Sequence, residues 1–118
     1  MRHQNHKYKV GTTPSHRLAL MRNLSAAIVE HGKVKTTHAK CMAVRSYIEK
    51  LITKAKVDSV ANRRLIFKKL NSKQAVKKLF DEVAPKYKER AGGYTRIVKL
   101  ADGRVGDNAK MSYISLVN

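Results

Sequence analysis

A chain of 118 residues, 42% of them hydrophobic, has material for one core, and its single cysteine, Cys41, excludes an internal disulfide and a cysteine-based zinc site. Its 26 lysines and arginines against 8 acids leave a formal charge of +18, a density that opposes compaction unless a polyanion neutralises it, so nucleic acid is the expected partner ahead of an anionic membrane. No apolar run approaches the roughly 20 residues of a membrane-spanning helix, and the opening residues lack the apolar centre of a signal peptide, so a cytoplasmic location is expected.

Residues 1–14 read as an extended basic arm. Arg2, Lys7 and Lys9 stand there with His3 and His6, and the first acidic residue of the whole chain is Glu30. Such a segment has too little apolar surface to fold alone, yet it can enter crevices closed to a globule. His3 and His6 have no carboxylate or thiol nearby, so they read as RNA contacts and not as metal ligands. No metal or other cofactor is expected.

The remainder, 15–118, reads as one α+β domain. Thr13 or Ser15 can cap its first helix, and Pro14 suits the first turn or the residue before it. Leu20, Met21, Leu24, Ala27 and Ile28 fall within one arc of about 120° and form the expected core face. Arg17 stands at the open end, where free N–H groups and the helix dipole favour an anion, and Arg22 lies outside the apolar arc. Gly32 ends the helix. Lys33-Val34-Lys35-Thr36 follows as a short strand, with Lys33 and Lys35 as further RNA candidates.

Thr36-Thr37 caps the second helix, whose Cys41, Val44, Ile48, Leu51, Ile52 and Ala55 recur at intervals of three and four. Asp58 is the expected cap of a third helix carrying Val60, Leu65, Ile66 and Leu70, with Arg63 and Arg64 near a possible RNA face. Asn71-Ser72 breaks it and starts a fourth, striped by Ala75, Val76, Leu79, Phe80 and Val83 and ended by Pro85.

Gly92-Gly93 then turns the chain into a hairpin. Tyr94–Leu100 and Met111–Val117 are rich in β-branched and aromatic residues. Between them, Gly103 and Gly106 are expected at positive φ, with Asp102, Asp107 and Asn108 closing turns. A two-stranded hairpin is marginal in water, so the strand after Gly32 is the expected third member. The fold class is therefore α+β, with about four helices on one face of a small three-stranded sheet in the order α-β-α-α-α-β-β, its strand order left open.

Catalysis is not indicated. The eight acids serve mostly as caps, turn residues or helix-surface charges, no phosphate loop is present, and Cys41 lies on an apolar stripe where a thiol is inert. No small-molecule substrate is implied. A small basic nuclease using Asp107 and a histidine is the enzymatic alternative, and a non-specific DNA-binding protein is another. For RNA, the useful ingredients are guanidiniums on glycine-rich backbone beside a tyrosine: Arg90, Tyr94 and Arg96 around Gly92-Gly93, and Arg104 in the hairpin loop. Tyr94 either stacks on an unpaired base or packs the core. RNA is preferred to duplex DNA because no helix-turn-helix dimer or leucine zipper is visible.

The residues also carry a family resemblance. His16-Arg17 to Arg22-Asn23-Leu24, Lys35-Thr36-Thr37 with Lys40, Asp58 through Leu65, Arg90-Ala91-Gly92-Gly93-Tyr94-Thr95-Arg96-Ile97 and Gly106-Asp107-Asn108-Ala109 resemble, in order along nearly the whole chain, the L-seventeen family of bacterial large-subunit ribosomal proteins. That resemblance implies a structural constituent of the large ribosomal subunit. Its partners would be large-subunit ribosomal RNA and neighbouring ribosomal proteins near the peptide exit side. It further implies RNA-facing roles for Arg2, His3, Lys7, His16, Arg17, Arg22, Arg90, Tyr94 and Arg96.

Overall fold

Each turn of this chain returns it to one apolar centre shared by helices and sheet. The computed structural model describes residues 13–117. Helix α1 (Pro14–His31) begins one residue before the expected boundary, capped by Thr13, whose hydroxyl accepts the His16 N–H at 3.1 Å. It closes at Gly32, which takes φ 77° and donates its N–H to the Ile28 carbonyl at 2.7 Å. The chain continues as β1 (Lys33–Thr37), α2 (His38–Ala55), α3 (Val60–Leu70) and α4 (Lys73–Lys78). The path of α4 runs on through a wide turn at Leu79–Val83 and a last turn at Ala84–Lys86, before β2 (Thr95–Lys99) and β3 (Met111–Leu116). The expected α-β-α-α-α-β-β order is present.

The stripes of α2 and α4 are as expected: Cys41, Val44, Ile48, Leu51, Ile52 and Ala55 are all buried, as are Ala75, Val76, Leu79, Phe80 and Val83. Burial pushes the Cys41 thiol pKa up, which keeps it an inert core group. On α1 the buried face is rotated from the expected one. Ser25, Ile28 and Val29 are enclosed and Met21, Leu24 and Ala26 pack against the core, while Leu20 and Ala27 stay on the flank. The helix lies between α2 and α4, and burial by two neighbours draws the enclosed arc round to Val29. On α3 only Ile66 and Leu70 are buried, and Val60 and Leu65 remain exposed, because this short helix touches the bundle along one narrow line.

Two helix ends differ from expectation. Ser59, not Asp58, caps α3, accepting the Asn62 N–H at 3.1 Å. Asp58 instead takes the Arg63 guanidinium in a fork at 2.7 and 2.8 Å. Pro85 does not end the fourth helix but lies within its last turn. The preceding turn is widened, with the Ala84 N–H reaching the Leu79 carbonyl, and a residue with no N–H to offer fits where the regular ladder is already broken.

The sheet has the order β1-β3-β2, both pairs antiparallel. Val34, Ile114 and Ile97 lie in one cross-strand row and face the helices. In the β2–β3 loop, Gly106 has φ 106° and Asn108 has φ 55°, but Gly103 is not in the left-handed region. Gly103 is required for a different reason: a Cβ there would lie 2.8 Å from the Asn108 carbonyl oxygen. Gly103→Ala is therefore expected to lower stability by about 1–3 kcal/mol in urea unfolding, with amide shifts centred on Arg104 to Ala109. Wild-type stability with an unshifted loop would refute this packing.

Candidate nucleic-acid interface

Alternation along the strands decides what the sheet shows to solvent, since successive side chains point to opposite faces. With Val34, Ile114 and Ile97 turned inward, the opposite parity builds the outer face. The register aligns Lys33, Ser115 and Arg96 in one row, and Lys35, Tyr113 and Val98 in the next. Lys33, Lys35, Arg96 and Val98 are exposed and Tyr113 is half-buried. No strand residue is acidic. The Lys33 ammonium sits over the Tyr113 ring, 4.1 Å from its centroid. Charged residues on both edge strands also discourage pairing with another sheet.

The β2–β3 loop walls one end of this face. A cavity of about 570 Å³ lies between Lys35, Leu100 and Met111 on the sheet side and Arg104 and Val105 on the loop. Arg104 is braced there by Asp107, Nε to Oδ1 at 3.1 Å. That guanidinium, with the Ala109 N–H, holds the Asp107 pKa down to about 2. Ala109 donates its N–H to Asp107 Oδ1 at 3.2 Å, the turn closure expected of that aspartate.

The other sequence candidates divide. Tyr94 is corrected: it has no exposed surface and cannot stack on a base. Its ring lies 5.3 Å from that of Tyr87, and its hydroxyl bonds the Thr53 hydroxyl at 3.0 Å and donates to the Arg90 carbonyl at 3.2 Å. The Lys56 ammonium covers the Tyr94 ring at 4.9 Å and also donates to the Arg90 carbonyl. The segment from Arg90 to Tyr94 is thus a structural joint between the end of α2 and the start of β2. Arg90 is exposed but folds back, its Nε donating to the Gly92 carbonyl at 3.1 Å. Arg96 belongs to the sheet face and not to a cluster with Tyr94.

Arg63 is held by Asp58 and, at 3.4 Å, by Asp81, and lies over the Phe80 ring. Its guanidinium ties α3 to the wide turn of the fourth helix, whereas Arg64 is exposed. Arg17 and Arg22 are half-buried on α1, and the Nε of each has no acceptor within the described residues. His16 is on the exposed first turn of α1. Arg2, His3, His6, Lys7 and Lys9 lie outside the described residues. Tyr113 and Val98 were not foreseen; the signal for them is strand parity, legible only once Val34 is known to pair with Ile114.

Among the described residues no group of three His, Cys, Asp or Glu side chains could hold a metal ion, and no helix is long and apolar enough to cross a membrane. A small α+β fold whose outer sheet face carries exposed cations and no carboxylate on any strand has the charge complement of a polyanion.

The family model described as Ribosomal protein L17 matches residues 20–117. The Large ribosomal subunit protein bL17 of Sulfurimonas denitrificans is 50% identical over 117 residues, covering 99% of this chain and 100% of that protein. The chain belongs to the ribosomal protein L17 family, which makes it a structural component and not an enzyme.

Proposed function

We propose that this chain is a cytoplasmic large-subunit protein that holds segments of large-subunit ribosomal RNA through two separate cationic surfaces, supporting subunit assembly and translation. One surface is the outer face of the sheet, with Lys33, Lys35, Arg96 and Arg104; the other is the basic arm that precedes Thr13, continued by His16, Arg17 and Arg22 on α1. The 18 residues of α1 put about 27 Å of helix between Thr13, where the arm joins, and the start of the sheet, so arm and sheet reach different stretches of RNA, with Arg22 midway along the helix. The observation that carries this reading is the outer sheet face: three exposed cations and no carboxylate on any strand. A position near the peptide exit side, beside other ribosomal proteins, is part of the same reading. Exposed Val60 and Phe67 on α3 supply an apolar surface for such neighbours.

A salt titration of the free protein on a large-subunit RNA fragment tests it. The logarithm of the binding constant is expected to fall by about 0.7–0.9 per phosphate engaged for each log unit of salt, and the protein is expected to co-sediment with large subunits in sucrose gradients. A flat titration would overturn the reading. Equal affinity for arbitrary duplex would indicate a DNA-binding protein, and RNA turnover dependent on a divalent metal would indicate a nuclease.

A further inference from the structure

We infer that Tyr113 is the platform on which one unpaired RNA base stacks, with Lys33, Lys35 and Arg96 holding the flanking phosphates. The inference rests on the RNA-binding reading above and specifies what its sheet face recognises.

Tyr113 lies on the central strand, so both neighbouring strands fix its position, and it is half-buried. Lys35 and Val98 are directly opposite it on either side, and the Lys33–Ser115–Arg96 row lies two residues further along. An aromatic ring ringed by cations, with no carboxylate on the strands, matches the chemistry of a single-stranded nucleic acid: apolar base faces carried on an anionic backbone. It suits neither a duplex, whose bases are stacked on one another, nor an acidic peptide, which has no planar group to cover the ring at every residue. The exposed Lys33 side chain covers one face of the Tyr113 ring, its ammonium 4.1 Å from the centroid, so that face is turned toward solvent and is covered only by a movable side chain. An arriving base takes that place, and the ammonium swings from the ring to a phosphate, exchanging a weak exposed cation–π contact for a charge-assisted bond.

The test compares a ten-nucleotide oligoadenylate with an abasic oligomer of the same length, on the full chain and its Tyr113→Leu and Tyr113→Phe variants. The wild type is expected to prefer the adenine oligomer by about fivefold to a hundredfold, the range of one base–aromatic stack. Tyr113→Leu loses that preference while retaining its affinity for the abasic oligomer and its salt slope, and Tyr113→Phe keeps both. A leucine variant that still prefers adenine overturns the inference and leaves RNA binding by the cations standing. A wild type with no salt slope on either oligomer removes the underlying reading itself. Photocrosslinking of a 5-iodouridine oligomer to the wild type gives a readout independent of variant folding: an adduct at Tyr113 is expected, and adducts confined to other residues would refute the assignment.

Discussion

Replacing Tyr94 with alanine is expected to lower folding stability by about 3–5 kcal/mol, the usual cost of deleting a buried ring. A domain of ordinary stability has only about 5–15 kcal/mol in all, so this is the most damaging single change considered. The ring is fully enclosed, meets Tyr87 in a tilted pair, and supports the Lys56 ammonium from below. Its hydroxyl joins Thr53 near the end of α2 to the Arg90 carbonyl at the approach to β2. Glu49 strengthens the same joint by accepting the Thr95 hydroxyl at 2.8 Å. Tyr94→Phe keeps the ring and removes only the hydroxyl, leaving the Thr53 and Arg90 groups to find other partners, and is expected to cost about 1–2 kcal/mol. Urea unfolding of the two variants separates packing from hydrogen bonding. RNA affinity of the phenylalanine variant should equal that of the wild type under folding conditions. A stable phenylalanine variant with weakened RNA binding would show that the hydroxyl faces a ligand, against its burial.

Local signals were enough for most of the frame. Helix α2 announces itself because six apolar residues at helical spacing all meet one continuous neighbour surface, and every one of them is buried. Helix α3 carries a comparable apolar content, yet Val60 and Leu65 face outward, because how wide a stripe is buried depends on neighbours the sequence does not name. The two tyrosines near the hairpin show the same limit from both sides. Tyr94 follows two glycines and precedes a strand, so its surroundings look open; of the partners that enclose it, Tyr87 is a near neighbour in the chain, but Thr53 and Lys56 come from the distant end of α2. In β3, Ser112, Ile114 and Leu116 share one parity and Met111, Tyr113 and Ser115 the other, and both sets mix apolar with polar residues. Only β1 is unambiguous, Val34 between two lysines. Once β1 and β3 are in register, Tyr113 must point outward with Lys33 and Lys35. The lysines of the outer face were therefore readable from the sequence, and the tyrosine between them was not.

Reversing the three cations of the outer sheet face together, Lys33→Glu, Lys35→Glu and Arg96→Glu, is expected to weaken binding to a large-subunit RNA fragment by at least about a thousandfold at low salt, each lost charge-assisted contact contributing about tenfold or more. The salt slope should fall by about 2–3 units, the share of three phosphates. Folding should change little, because all three side chains are exposed and only the Lys33 contact with the Tyr113 ring is given up, worth about 0.5–1 kcal/mol at an exposed site. The edge strands also stay charged, so protection against strand pairing is retained with the opposite sign. Reversal of Lys68, Lys73 and Lys77, which are equally exposed on α3 and α4, is the matched control: it changes net charge by the same amount at a different place. If the sheet face is the docking surface, the control set weakens binding far less than the sheet set. Equal losses from the two sets would mean that RNA responds to the total charge of the chain and not to its arrangement, and the sheet face would then have no special claim to the contact.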